Sequence, residues 1–193
     1  MATNSAVKKL LYEREPIGGS QPYKIWSAWS DIRFTARNNE FINTFYIYFD
    51  KLKVILSPNR SYINLPYVYD RFLKFGDMDY SEWQKAYLTT YHHNKIVAPV
   101  RATTPSGTMG VIPYLQSIPL EIPHTHSGLI MILIDENRVL RELDDLSFDP
   151  GGGAYIALPN DQILTVSTSL SDFDLDSDIF SIHLETNLES GSC

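Results

Sequence analysis

The second half of the sequence repeats one pattern, in which turn-forming residues separate short runs of β-branched and aromatic residues every 8 to 12 positions. From about residue 109 these runs are "MGVIPYL", "SIPLEI", "GLIMILI", "RVLREL", "AYIAL", "QILTVSTSL" and "IFSIHLE". Between them lie "DEN", "DPGGG" and "PND", whose residues favour the tight conformations of hairpins. This spacing predicts a sandwich or a barrel.

Two aromatic-rich stretches of the first half, "PYKIWSAWSDIRFTA" and "FINTFYIYFDKLKVILS", also predict strands. In the second stretch, Phe41, Phe45, Phe49 and Leu52 fit a helical stripe as well, which leaves residues 41–56 open between strand and helix. "NKIVAPVRAT" predicts a further strand.

Two short helices are predicted between these strands. In "NLPYVYDRFLKFG", Asn64 can cap the helix, Pro66 is tolerated in its first turn, and Gly76 can end it in the left-handed conformation. In "SEWQKAYLTTY", Ser81 and Gln84 form a candidate capping box.

The chain has 193 residues, 44% of them hydrophobic, and can bury one substantial core. We predict a single domain over residues 1–193, with a candidate extended segment at residues 1–22. Its fold class is all-β and mainly antiparallel: a jelly-roll-like β-sandwich with a few short helices and no parallel βαβ unit. We expect no signal peptide and no membrane span, because the longest aliphatic run has only six residues. The one cysteine, Cys193, excludes an intrachain disulfide.

The net charge of −7 is unevenly distributed along the chain. Residues 1–110 contain 14 Lys and Arg against 9 Asp and Glu, giving +5, whereas residues 111–193 contain 2 against 14, giving −12. This division predicts a molecule whose faces differ in charge, so that it can bind an acidic partner or another copy of itself.

Two of the five histidines, His124 and His126, stand just before the apolar run "LIMILI". The stretch "IPHTHSGLIMILIDENRVLRELDDLSFDPGGGAYIALPND", residues 122–161, resembles the core of a cupin, in which such a pair binds a divalent metal together with a glutamate and a third histidine. Here Ile130 and Met131 occupy the glutamate positions, and "NDQ" follows "ALP", where the third histidine is often found. The pair is therefore a candidate metal site or two polar residues at a strand entrance.

A second candidate site is the acidic segment "SDFDLDSDIF". If it is extended, one face carries four carboxylates, those of Asp172, Asp174, Asp176 and Asp178. Such a row is solvated, binds a hard cation such as calcium, or contacts a basic partner.

Aromatic residues are concentrated in the first half, where ten of the twelve tyrosines and all three tryptophans fall within residues 1–91. Basic residues lie among them, namely Lys51, Lys53, Arg60, Arg71 and Lys74. This composition is more typical of a subunit interface, or of an apolar core with a solvated polar edge, than of a surface that binds single-stranded nucleic acid.

The segment "DYSEWQKAYLTTYHHNKIVAPVRATTPSG" is similar to a passage of single jelly-roll capsid proteins of small viruses, on Trp83, Tyr87, Tyr91, Ile96 and Val100. This resemblance implies a structural subunit of a virion. Those coat proteins commonly begin with an arginine-rich arm that binds the genome, which this chain lacks. We therefore expect a capsid, vertex or minor virion protein that does not bind nucleic acid directly.

The sequence has no G-x-S-x-G elbow and no phosphate-binding loop. We therefore expect a non-enzymatic structural subunit, without a cofactor unless a divalent cation binds. Its partners would be copies of itself and other structural proteins, in the virion or the host cytoplasm. The alternative is a cupin-type metal- or small-molecule-binding protein.

Overall fold

The computed structural model describes residues 9–12, 26–27, 30, 40–104, 107–120, 122, 124–146, 154–158 and 163–167. Contacts group the chain into two compact units, Met1–Arg138 and Val139–Cys193. The single domain over residues 1–193 stays a prediction. The candidate extended segment 1–22 falls mainly outside the described residues, but Lys9–Leu11 within it are helical.

The first unit contains one antiparallel sheet of seven strands. In chain order these are β1 (Ile42–Phe49), β2 (Val54–Leu56), β3 (Ser61–Tyr62), β4 (Lys95–Ile96), β5 (Val100–Thr104), β6 (Gly107–Ile118) and β7 (Gly128–Asp135). Their order is β3-β2-β1-β7-β6-β4, with β5 also paired to β6. The prediction of mainly antiparallel β-structure is confirmed, and all pairs among the described strands are antiparallel. The jelly-roll-like sandwich itself stays a prediction.

Apolar side chains are buried on both faces of this sheet. From β7, Met131 and Leu133 enter one core, which also contains side chains of the helical segments. Ile130 enters a second core with Leu10 and Leu11 of the N-terminal helical turn. A strand covered on both faces is apolar without alternation, as "GLIMILI" is, and each fully buried aliphatic side chain contributes about 1.5–3 kcal/mol.

Residues 41–56, which the sequence left open, form two strands joined by a turn. Tyr46 and Tyr48 enter the first core, while Phe45, Ile47 and Phe49 enter the second. The period of two therefore prevails because β1 lies between two cores and pairs with both β2 and β7.

The first predicted helix is present as α1 (Leu65–Val68), which continues as a π-helical segment, Tyr69–Leu73. Pro66 lies in its first turn as predicted, but the side chain of Asn64 makes no capping hydrogen bond. The helical segment ends at Lys74, which is extended. Gly76 has φ +53° in the turn that follows, so it does not end the helix directly.

The second predicted helix is α2 (Tyr80–Trp83), which continues as the π-helical segment Gln84–Thr89. Its capping box consists of Asp79 and Glu82, so the predicted pair Ser81 and Gln84 was wrong by two residues. The Glu82 N–H donates to Asp79 Oδ1 at 2.8 Å, and the Asp79 N–H donates to Glu82 Oε2 at 3.0 Å. The aspartate satisfies an amide of the first turn as a serine would.

Two predicted strands are wrong. "RVLREL" belongs to helix α3 (Glu136–Asp145), because Asp135 Oδ1 accepts the Arg138 N–H and the apolar residues follow helical spacing. "SIPLEI" is not a separate strand, because β6 ends at Ile118, before a proline that has no N–H to donate. The predicted strand "PYKIWSAWSDIRFTA" lies mostly outside the described residues, although Trp26, Ser27 and Ser30 within it are helical.

The second unit contains a hairpin, β8 (Tyr155–Ala157) and β9 (Ile163–Val166), as "AYIAL" and "QILTVSTSL" predict. The predicted strand "IFSIHLE" lies outside the described residues. Among the helices that the structure describes, none is long and apolar enough to cross a membrane.

Candidate functional site

The ring of His126 is held by two protein groups at the entrance to β7. Its Nε2 contacts the carbonyl oxygen of Leu88, which can only accept, so Nε2 carries the proton and donates. Its Nδ1 is then the accepting nitrogen, and the hydroxyl of Ser117 on β6 donates to it at 3.0 Å. Both ring nitrogens are therefore engaged within the protein.

His92 belongs to the same network, although it is 34 positions earlier in the chain. Its N–H donates to Ser117 Oγ at 2.9 Å, and its Nε2 donates to the carbonyl of Tyr87 at 3.2 Å. Burial lowers the pKa of its ring, and the positive charge of Lys95 lowers this pKa further. We call His92, Ser117 and His126 the histidine cluster.

His124 lies apart from this cluster. It is exposed, with φ +60°, and its ring centroid is 5.4 Å from that of Tyr91. Because Nε2 of His126 carries a proton and Nδ1 accepts a hydrogen bond, His126 has no free lone pair with which to coordinate a cation. His124 would then supply a single ligand, which is too few for a metal site. No group of three or more His, Cys, Asp or Glu side chains suited to a metal occurs among the described residues. The metal site at His124 and His126 stays a prediction that this geometry does not favour.

The sequence did not identify Ser117 as a candidate site residue, because no catalytic or binding motif surrounds it. A serine hydroxyl bonded to a histidine resembles the pairing of a nucleophile with its base. Here, however, Ser117 is only 1% exposed and accepts the His92 amide, so a substrate could not reach its oxygen. The cluster instead ties β6 to the segments on either side of it.

A second polar group lies at the turn between β1 and β2. The Tyr48 hydroxyl and the Lys53 ammonium both donate to Asp50 Oδ1, at 3.0 and 2.8 Å. Burial alone would raise the pKa of Asp50, but the hydrogen bonds from Lys53 and Tyr48 outweigh it and the pKa is lowered. These three residues satisfy one another, and we assign them to the stability of the turn.

The outer side of α1 and its π-helical extension exposes cations and apolar groups together. Its members, here called the basic–aromatic surface, are Arg60, Ile63, Tyr67, Arg71 and Lys74. Ile63 and Tyr67 are 57% and 55% exposed. The Arg71 guanidinium lies 5.1 Å from the centre of the Tyr67 ring, and that of Arg60 lies 5.5 Å from the ring of Phe72. Of the residues predicted as basic among aromatics, Arg60 and Arg71 lie over rings of α1 and its extension, and Lys74 follows that extension, whereas Lys53 is bound to Asp50.

An apolar groove of about 470 Å³ opens on the other face of the sheet. It is lined by side chains of β1, β6 and β7 and of the residue before β1, namely Phe41, Ile42, Tyr114, Ile132 and Ile134. Four of the five lining side chains are hydrocarbon, and the Tyr114 hydroxyl donates to Asn94 Oδ1, so the groove favours apolar groups.

The acidic row of Asp172, Asp174, Asp176 and Asp178 lies outside the described residues, and its role as a cation site or partner contact stays a prediction. No protein-family model matches the chain, and no curated protein matches its sequence.

Proposed function

We propose that this chain is a non-enzymatic structural subunit of a larger assembly: a capsid, vertex or minor protein of a viral or phage particle, with a jelly-roll-like fold. The observation that carries the proposal is the basic–aromatic surface. Tyrosine and arginine are enriched in protein interfaces, and exposed Tyr67 beside Arg71 is the kind of pair on which binding energy concentrates.

The histidine cluster supports the same proposal. Its donors and acceptors are bonded to protein groups, and its hydroxyl is buried, which suits a role in holding strands together. A catalytic pair would require a reachable oxygen.

Sedimentation of the purified protein at several micromolar concentrations tests this proposal. We expect concentration-dependent association that Arg71→Glu weakens about tenfold. Lys85→Glu is the matched control, since Lys85 is also exposed on a π-helical segment but lies outside the basic–aromatic surface. A wild-type protein that remains monomeric throughout would contradict the proposal.

A second candidate function is the binding of a small apolar molecule, which the apolar groove favours. Its volume falls within the range of small-molecule sites, about 300–1,000 Å³. Titration with an apolar fluorescent dye would support this function if binding is stoichiometric and Ile132→Gln abolishes it. Dye binding that Ile132→Gln leaves unchanged would count against it.

A further inference from the structure

Building on the proposed function, we infer that the basic–aromatic surface receives the acidic segment, residues 172–179, of a neighbouring copy of the chain. The inference identifies the partner of this surface by its charge.

The surface supplies positive charge that is not used elsewhere. Arg60, Arg71 and Lys74 are exposed, and none of them forms an ion pair with the described residues. Two of the three are held over aromatic rings, which limits their freedom before any partner arrives. One carboxylate, that of Asp70, is exposed on the same helical segment, so the surface favours anionic groups without being uniformly positive.

The acidic segment supplies the complementary pattern. In "DFDLDSDI" carboxylates alternate with apolar side chains, Phe173 and Leu175, and Ile179 follows. In an extended conformation successive carboxylates on one face are about 6.6 Å apart. Such a segment can place this row of carboxylates against the cations, while Phe173, Leu175 and Ile179 lie on its opposite face.

A peptide segment suits this surface better than single-stranded nucleic acid does. Bases bind by stacking on open ring faces, but Phe72 is half-buried against the first core and Arg71 covers one face of Tyr67, so few ring faces remain for a run of bases. Ile63 offers an aliphatic contact that a base or a phosphate does not use.

The division of charge along the chain supports contact between copies. The basic–aromatic surface lies in the half with charge +5 and the acidic segment in the half with charge −12. When each copy carries both, a head-to-tail contact repeats and builds rings or shells.

Fluorescence anisotropy with a labelled peptide of residues 171–180 tests the inference. The acceptor is the full chain with all four aspartates, 172 to 178, changed to asparagine, which keeps its own segment from competing. We expect the peptide to bind saturably, with an affinity that Arg71→Glu in the acceptor lowers about tenfold and that Lys85→Glu leaves unchanged. A peptide in which asparagine replaces the four aspartates should not bind. Absence of binding, or displacement of the peptide by a single-stranded DNA oligonucleotide that binds more tightly, would overturn the inference.

Sedimentation separates the failure of this inference from failure of the proposed function. We expect the four-asparagine chain to associate about tenfold more weakly than wild type. If both associate equally, the acidic segment is not the contact, but the subunit proposal survives. If wild type is monomeric although the peptide binds, the acidic segment binds the basic–aromatic surface of its own chain. Both the subunit proposal and the inference of contact between copies then fail.

Discussion

The Ser117 hydroxyl donates to Nδ1 of His126 at 3.0 Å, while the same oxygen accepts the N–H of His92 at 2.9 Å. One buried side chain thus joins β6 to the segment of His92, 25 positions earlier, and to that of His126, nine positions later. The Ser117 N–H also donates to the carbonyl of His92 at 2.8 Å, so the two residues are bonded in both directions. His126, one of the two histidines that suggested a metal site, therefore serves the packing of β6 in this structure.

Ser117→Ala should lower the free energy of unfolding by about 1–3 kcal/mol, because the His92 amide and His126 Nδ1 lose their partner in a buried site. Urea unfolding followed by fluorescence measures this change. Ser61→Ala, at an exposed position of β3, is the control and should change stability by less than about 0.5 kcal/mol. Equal effects of the two substitutions would contradict this role for the histidine cluster.

Stability should fall as the pH drops below 6.5, and His92 should account for part of the loss. Burial, with smaller contributions from the charges of Lys95 and His126, lowers the pKa of His92 in the folded protein, whereas the unfolded chain has the ordinary value of 6.5. The unfolded chain then binds the proton first, so the stabilisation is full above pH 6.5 and is lost as the pH falls toward the lowered pKa. Urea unfolding across this range should show a shallower pH dependence for His92→Gln than for wild type. His93→Gln, at an exposed position, should follow wild type.

Two buried tyrosines of one core should respond oppositely to loss of their hydroxyl groups. Tyr69 Oη donates to the carbonyl of Met78 at 3.0 Å and accepts the Phe75 N–H at 3.3 Å, so Tyr69→Phe should cost about 1–3 kcal/mol. Tyr46 Oη is buried and has no hydrogen-bond partner among the described residues. Tyr46→Phe should therefore leave the unfolding free energy unchanged or raise it. Thermal unfolding of both variants measures the difference, and a large loss in Tyr46→Phe would show that its hydroxyl is satisfied.

The capping box of α2 should depend on Asp79 and not on Ser81. Asp79→Ala removes the acceptor of the Glu82 amide and should lower stability by about 0.5–2 kcal/mol. Ser81→Ala lies one position inside the helix and should be neutral or slightly stabilising, since alanine has the higher helix propensity. Urea midpoints of the two variants distinguish this cap from the one that the sequence suggested.

How far the sequence predicted the fold differs between particular segments. "GLIMILI" identified β7 because an apolar run of that length, flanked by polar residues, suits a strand buried on both faces. "RVLREL" failed because Val139, Leu140 and Leu143 fit either a strand or a helix, and the Asp135 carboxylate that starts the helix was taken as part of a turn. For the candidate site, the sequence identified His126 but not Ser117, since a serine in a strand carries no local signal of a partner nine positions away.

The sequence alone determined that the segments of β4 to β7 are strands, because alternation and apolar runs act over a few neighbouring residues. It also determined the division of charge, which follows from composition. Only the tertiary structure decided that residues 41–56 form strands and not a helix. The pairing of β1 with β2 and β7 and its burial between two cores outweigh the helical spacing of the apolar residues. The tertiary structure likewise decided the chemistry of the histidines. Whether an imidazole nitrogen is free for a metal depends on which carbonyl or hydroxyl the fold places beside it. Leu88 reaches His126 across 38 positions of the chain, and Ser117 reaches it from the neighbouring strand β6.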